Sequence, residues 1–87
     1  MSYNLKISRK AEKEIAHLTS KIRRQVVEKI LSLEDNPYSQ DIKQLKGEKD
    51  AYRVDSGEYR ILFHLDDKAK AVTIFRVKHR RDVYRNL

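Results

Sequence analysis

The feature that most constrains the fold is a change of hydrophobic periodicity at Asn36-Pro37. Before this point apolar residues recur mainly at the three- to four-residue spacing of helices, whereas after it they alternate with polar residues as in strands. Proline disfavours a helical conformation in the residue before it and cannot donate a hydrogen bond to a continuing helix. The sequence therefore predicts an α+β chain whose helices precede most of its strands.

Two helices are predicted before this boundary. Residues 3–7 alternate as a short N-terminal strand, and Ser8 can cap a first helix that ends near Thr19 and Ser20. The second helix presents an apolar stripe on one side, formed by Ile22, Val26, Ile30 and Leu33. The short break between the helices favours a helical hairpin, whose joint apolar face needs a sheet to cover it.

Three strand-like runs follow the boundary and predict an antiparallel meander. They are residues 51–55, 58–65 and 70–77. We expect Ser56 and Gly57 to form the loop between the first two runs, because glycine tolerates the positive φ of tight hairpin turns. A short basic tail over residues 80–87 completes a single domain spanning residues 1–87.

The composition limits the kinds of function available. A chain of 87 residues can bury one modest core, so function must lie on its surface. The 20 lysines and arginines exceed the 13 acidic residues by 7, which indicates an anionic partner, nucleic acid before an acidic protein or membrane headgroups. A basic surface that only aids solubility is the alternative. The absence of cysteine excludes disulfides and thiolate chemistry, and without a signal peptide or membrane-spanning run we expect a cytoplasmic protein.

The predicted hairpin carries a candidate phosphate site. With Ser56 and Gly57 as the loop, Arg53 is expected directly opposite Arg60, and strand alternation places Arg60 and His64 on the face away from the helices. The helix-facing residues are then Tyr59, Ile61 and Phe63. A like-charge pair across strands is destabilising unless an anion lies between its members. A phosphate would accept paired hydrogen bonds from a guanidinium, although both side chains could also extend into water.

The segment after the last strand adds further candidates. His79 can exchange a proton near neutral pH, Arg80 can stabilise charge on a phosphate, and Tyr84 can stack on a base or orient a hydroxyl. An ordinary surface histidine and a tyrosine that anchors the tail are the alternatives. We expect no metal or cofactor, because the chain has no metal-ligand spacing, no glycine-rich phosphate loop and no nucleophile elbow.

Three segments together resemble a known family. They read L-K-G at residues 45–47, Y-R-V-x-x-G-x-Y-R-I at residues 52–61 and V-x-H-R-x-x-V-Y at residues 77–84. In this combination the chain resembles the RelE toxins of the RelE/ParE superfamily, from bacterial and archaeal toxin–antitoxin modules. The strand-helix-helix start extends the likeness over the whole chain.

The resemblance implies a ribosome-dependent endoribonuclease that cleaves messenger RNA in the A site without a metal. The RNA 2′-hydroxyl would attack the neighbouring phosphate and leave a cyclic phosphate and a 5′-hydroxyl. By position, Arg60 would stabilise charge on the phosphate, Arg53 would replace a family lysine, Arg80 would assist the leaving oxygen, and Tyr84 would stack on or orient the substrate. Asp55 stands where some members have a second lysine.

The general base is open among Lys46, His79 and Tyr84, and His79 is preferred because its unperturbed pKa suits neutral chemistry. Further RNA contacts are expected from Lys46, His64, Arg76, Lys78, Arg81 and Arg85.

The resemblance also implies partners. They are a cognate antitoxin that covers the basic surface, the ribosome and its messenger RNA, and DNA only indirectly through the antitoxin. One alternative is a ParE-like DNA gyrase inhibitor without nuclease activity, because one fold hosts both activities. Another is a degenerate toxin that survives only as a nucleic-acid-binding partner of its antitoxin. The combination of Arg60, Arg80 and Tyr84 favours the nuclease.

Overall fold

The computed structural model describes residues 2–83 and shows an α+β fold, as predicted. The helices are α1 (Arg9–Ala16), α2 (Ser20–Asp35) and α3 (Arg80–Val83), and a 3-10 turn covers Pro37–Ser39. The strands are β1 (Asn4–Ile7), β2 (Lys43–Gln44), β3 (Ala51–Ser56), β4 (Tyr59–Asp66) and β5 (Ala71–His79).

All five strands form one sheet in the order β1-β5-β4-β3-β2. The predicted meander is confirmed, since β3, β4 and β5 pair antiparallel in sequence order. The N-terminal strand β1 pairs parallel with β5, and the helical hairpin connects one edge of the sheet to the other. The two-residue strand β2 pairs antiparallel with β3 and was not predicted.

The helix boundaries follow the capping signals of the sequence. The Ser8 hydroxyl accepts a hydrogen bond from the Ala11 N–H at 3.1 Å, which satisfies one of the unpaired donors of the first turn. Helix α2 ends at Asp35, immediately before the extended backbone of Asn36, as predicted from Pro37.

The core lies between the helices and one face of the sheet. Its fully buried members include Val26 from α2, Ile61 and Phe63 from β4, and Ile74 from β5. Ile61 and Phe63 therefore face the helices, as predicted from strand alternation. We call the opposite side the outer face. Leu62, on the outer face of β4, is also fully buried.

The predicted register of the β3–β4 hairpin is wrong. The loop residues are Gly57 and Glu58 rather than Ser56 and Gly57, and Ser56 pairs with Tyr59 at the end of the ladder. Gly57 has a φ of +61°, which suits the first loop position of a type II′ turn. This shift places Asp55, not Arg53, opposite Arg60.

A carboxylate in the β4–β5 turn ties distant parts of the chain together. Asp67 accepts hydrogen bonds from the Tyr3 hydroxyl at 3.0 Å and from the Tyr38 hydroxyl. The hydrogen bond to Asp67 raises the pKa of Tyr38 to about 12, with a smaller contribution from desolvation. The hydrogen bonds from Tyr38 and then Tyr3 lower the pKa of Asp67. This cluster holds the start of β1 and the 3-10 turn against the sheet.

Candidate nucleic-acid interface

Basic side chains form two neighbouring rows across the outer face of the sheet. In one row Lys78 of β5 lies opposite Arg60 of β4, and Arg60 lies opposite Asp55 of β3. In the next row Arg53 of β3 lies opposite Lys43 of β2. Directly opposed residues of an antiparallel pair point to the same side of a sheet. We call the surface formed by Lys43, Arg53, Arg60 and Lys78 the outer basic face.

Two guanidinium groups converge on a single carboxylate within this face. Asp55 Oδ1 lies 3.2 Å from Arg60 Nε and 3.8 Å from Arg53 Nη1. The arginine side chains are 14% and 23% exposed, whereas that of Asp55 is 59% exposed. The cations are thus held against the sheet with an anion on their solvent side. The structure brings Arg53 and Arg60 together as expected, although through Asp55 and not as a directly opposed pair.

Packing accounts for the partial burial of these arginine side chains. The buried side chain of Leu62 lies between Arg53 on β3 and Arg76 on β5, which are its directly opposed neighbours. The aliphatic stem of an arginine can cover apolar surface while its guanidinium stays hydrated. Leu62 therefore provides apolar surface that the aliphatic stem of Arg53 can cover.

A second group of charges lies at the end of the hairpin. The backbone N–H of Arg80 donates to the Glu58 carbonyl at 2.8 Å, and Arg80 Nε lies 3.4 Å from Glu58 Oε2. His79 Nε2 lies 3.9 Å from the same carboxylate oxygen. Glu58 thus holds Arg80 at the β3–β4 loop. Glu58 itself lies close to Arg60 in the sequence.

His79 does not share the outer basic face. It lies opposite Tyr59, which packs against the core, and the two rings meet edge-on with centroids 5.3 Å apart. The Arg81 N–H donates to His79 Nδ1 at 3.3 Å, so that nitrogen already acts as an acceptor. His79 and Arg60 therefore lie on different faces of the sheet, and this geometry does not support the preference for His79 as the general base.

Arg76 is bound to α1 instead of joining the outer basic face. Its guanidinium pairs with Glu14 Oε2, at 3.0 Å from Nη2 and 3.1 Å from Nε. The other carboxylate oxygen of Glu14 accepts the Val77 N–H at 2.7 Å. Because β1 pairs only with residues 71–74 of β5, this carboxylate satisfies a backbone donor beyond the end of β1. Glu14 was not singled out from the sequence.

The remaining candidates are spread around the site. Lys46 is exposed in the turn after β2, and Arg81 is exposed in α3. His64 is exposed on the outer face beside Phe75. Tyr84 and Arg85 lie outside the described residues. Lys43 and Glu58 were missed. Lys43 is connected to the site by its position opposite Arg53, and Glu58 by its contacts with Arg80.

The described part of the chain offers no grouping of three or more histidine, cysteine, aspartate or glutamate side chains that could hold a metal. Among residues 2–83, none of the helices has the length and hydropathy needed to cross a membrane.

Comparison with known proteins identifies the family. A family model described as the ParE toxin of the type II toxin–antitoxin system parDE matches residues 5–84. A putative toxin RelE1 of Methanocaldococcus jannaschii is 28% identical over 89 residues, and the match covers 99% of each chain.

Solved structures with this fold point the same way. The RelE–RelB complex of Pyrococcus horikoshii matches with a TM-score of 0.79 and 29% identity, covering 92% of this chain and 97% of the other. The RelBE2 toxin–antitoxin complex of Mycobacterium tuberculosis matches with a TM-score of 0.81 and 29% identity, covering 92% and 100%. The chain belongs to the ParE toxin family of type II toxin–antitoxin systems, and within the RelE/ParE superfamily it is a RelE-type toxin.

Proposed function

We propose that this toxin is a ribosome-dependent endoribonuclease that cleaves messenger RNA in the A site and so inhibits translation. The observation that carries the proposal is the convergence of Arg53 and Arg60 on one anion, with Lys78 directly opposite Arg60. A directly opposed pair of cations costs stability unless an anion is present. The bound anion is Asp55 in the free toxin, and we expect an RNA phosphate to take its place.

The chemistry needs groups that stabilise negative charge on a phosphate. Attack by the 2′-hydroxyl on the neighbouring phosphorus forms a cyclic phosphate, and the bond to the 5′-oxygen of the next nucleotide breaks. Charge accumulates on the non-bridging oxygens during this step. Arg60 and Arg53 can donate charge-assisted hydrogen bonds to these oxygens, and the partial burial of their side chains fixes their position before substrate binds.

We assign Arg80 to the leaving oxygen. Its side chain is 63% exposed and pairs with the equally exposed Glu58. Such exposed pairs contribute little stability, so Arg80 can exchange Glu58 for the substrate at low cost. Tyr84 follows α3 in the sequence, and we assign it to stacking on, or orientation of, the substrate.

The general base lies among Lys46, His79 and Tyr84. Replacing each of the three in turn distinguishes them, because a general base makes the cleavage rate rise with pH as it loses its proton. We expect the variant that removes the base to lose the ascending limb of the pH–rate profile, while the other two variants keep it.

The cognate antitoxin is the second partner in this proposal. The RelE relatives from Pyrococcus horikoshii and Mycobacterium tuberculosis were solved with their antitoxins. We propose that a RelB-like antitoxin segment covers the outer basic face and Arg80, which would block access of RNA. The toxin would act in the cytoplasm and would contact DNA only through its antitoxin.

The test is a translation reaction with purified ribosomes, a defined message and this protein. We expect messages truncated within A-site codons, with a cyclic phosphate on the upstream fragment and a 5′-hydroxyl on the downstream fragment. The same message without ribosomes should stay intact. Full-length messages in the presence of translating ribosomes would contradict the proposal.

The description of the matching family model favours one alternative function, inhibition of DNA gyrase as a ParE-type toxin. Expression of the toxin in cells separates the two. The nuclease should stop protein synthesis first and leave plasmid supercoiling intact, whereas a gyrase inhibitor should change supercoiling before protein synthesis declines.

A further inference from the structure

The outer face carries an aromatic pair beside the arginine cluster. The imidazole ring of His64 stacks on the phenyl ring of Phe75, with centroids 4.4 Å apart and 24° between the planes. His64 is exposed, so part of its side chain remains accessible to solvent beside this stacking contact. A flat ring that is supported on one side and open on the other can stack on a nucleobase.

A bulge in β5 places Phe75 in this position. Phe63 pairs with Ile74, and the preceding residue of β4, Leu62, pairs with Arg76, so Phe75 has no directly opposed partner. Alternation turns Phe75 away from Ile74, which lies in the core, and toward the outer face. Bulges of this kind recur beside functional sites, where they redirect side chains.

The aromatic pair adjoins Arg53. Because Arg53 lies opposite Leu62, its diagonal neighbours on β4 are Arg60 on one side and His64 on the other. Diagonal neighbours of an antiparallel pair are about 7–8 Å apart. Arg53 thus lies between Arg60 and His64, which suits a backbone phosphate at Arg53 and an adjacent base at His64.

We propose that the imidazole of His64, supported by Phe75, stacks on an unpaired RNA base next to the phosphate held by Arg53. The proposal rests on the RNA-cleaving function proposed above and adds a base subsite to it. Stacking accepts any base because every base has a π face. The subsite therefore adds affinity without selecting a sequence.

The test titrates the full chain into short single-stranded RNAs, each with one 2-aminopurine between uridines at a different position. Stacking on an aromatic ring quenches this fluorescent base. We expect the wild-type protein to quench it in at least one of these RNAs. His64→Ala should remove that quenching and weaken binding about tenfold, whereas His64→Phe should retain both because it keeps an aromatic ring.

His17→Ala is the matched control, since His17 is also an exposed histidine but follows α1, far from the outer basic face in sequence and topology. It should behave as wild type. Wild-type quenching by His64→Ala would show that His64 only shields Phe75 from water and would overturn the proposal. Loss of quenching in His64→Phe would also overturn it, because the histidine would then act by hydrogen bonding or charge. Failure of the wild-type chain to bind or quench any of the RNAs would do the same.

Cleavage on the ribosome is measured in parallel. A protein that never cuts but shows His64-dependent quenching would refute the nuclease and retain the subsite. If instead the wild type cuts and His64→Ala matches it in quenching, affinity and KM, the subsite is refuted and the nuclease retained.

Discussion

Asp55 is the residue whose interpretation differs most between the sequence and the structure. In the sequence it appears as a departure from a family lysine, whereas in the structure it is the anion that holds Arg53 and Arg60. Its exposed carboxylate holds the two guanidiniums together, and we propose that it competes with RNA for them. On this proposal the free toxin is preorganised around an internal substitute for its substrate.

We expect Asp55→Asn to bind single-stranded RNA more tightly than the wild type, by roughly threefold to tenfold. The substitution removes a negative charge that repels phosphate, and a pair as exposed as this contributes at most about 1 kcal/mol to folding. Fluorescence anisotropy with a labelled oligonucleotide measures the change. Asp41→Asn, an exposed acid before β2, is the control and should have a smaller effect. Weaker binding by Asp55→Asn would show that ordering the arginines matters more than competition.

Alternation along β4 was sufficient to assign Arg60 and His64 to the outer face, because the side of a strand does not depend on its partner. The register of the β3–β4 hairpin could not be predicted in the same way. Ser56-Gly57 and Gly57-Glu58 are both two-residue loops that contain glycine, and local sequence does not choose between them. The choice decides whether Arg53 or Asp55 faces Arg60.

Strand β5 is the element that connects the fold to the site. Its first half pairs with β1, and its second half, which leads to Lys78 and Arg80, is held at the edge by Glu14 of α1. This carboxylate replaces the missing strand as an acceptor and neutralises Arg76. Helix α1 thereby stabilises the segment from which the site emerges.

We expect Glu14→Ala to lower the free energy of unfolding by about 2 kcal/mol, because it leaves a backbone donor and a largely buried guanidinium without their acceptor. Urea denaturation measures this change. Glu12→Ala, an exposed acid in the first turn of the same helix, should cost less than about 1 kcal/mol. Equal losses of unfolding free energy in the two variants would show that the contacts of Glu14 stabilise the fold no more than an exposed acid of the same helix does.

The hydrogen bond between Tyr38 and Asp67 should appear in a titration. The pKa of Tyr38 is raised from 10.0 to about 12, so this contact stabilises the fold fully below pH 10 and is lost as pH rises toward 12. The pKa of Asp67 is lowered, so its contribution is lost only as pH falls below the usual aspartate value. Phenolate absorbance should show one late-titrating tyrosine that is absent from Tyr38→Phe. Its persistence in that variant would contradict the assignment.

The elements with strong local sequence signals were predictable, and the elements without such signals were not. Helix α2 follows from a long apolar stripe and a proline stop, both of which are local signals. Strand β2 has only two residues, too few to show alternation, and the parallel pairing of β1 with β5 joins distant parts of the chain. Contacts of this kind depend on tertiary packing rather than on local propensity.

The fold as a whole places its core and its candidate site on opposite sides of the sheet. The core and the helices occupy one face, and Lys43, Arg53, Arg60 and Lys78 occupy the other, so we propose that the outer basic face binds polyanions. That positive charge would serve both proposed partners, since RNA and a covering antitoxin segment would compete for the outer basic face.

Salt should weaken RNA binding in proportion to the phosphates neutralised. If Arg53 and Arg60 together neutralise one phosphate, and Lys43 and Lys78 neutralise one each, the logarithm of the binding constant should fall with the logarithm of salt concentration with a slope of about −2 for a single strand. Lys78→Ala should reduce the magnitude of the slope by about 0.7. A slope that Lys78→Ala leaves unchanged would place this lysine outside the RNA contact.

The decisive measurement is the single-turnover rate of message cleavage on programmed ribosomes by the wild type, Arg60→Ala and Arg80→Ala. Loss of one preorganised donor to a developing anion typically costs about 100-fold to 1,000-fold in rate, so both variants should show almost no cleavage. Arg24→Ala, which removes an exposed arginine from α2, should cut at the wild-type rate. Wild-type cutting by both Arg60→Ala and Arg80→Ala would contradict the assignment of the outer basic face and Arg80 as the place where the phosphodiester is held.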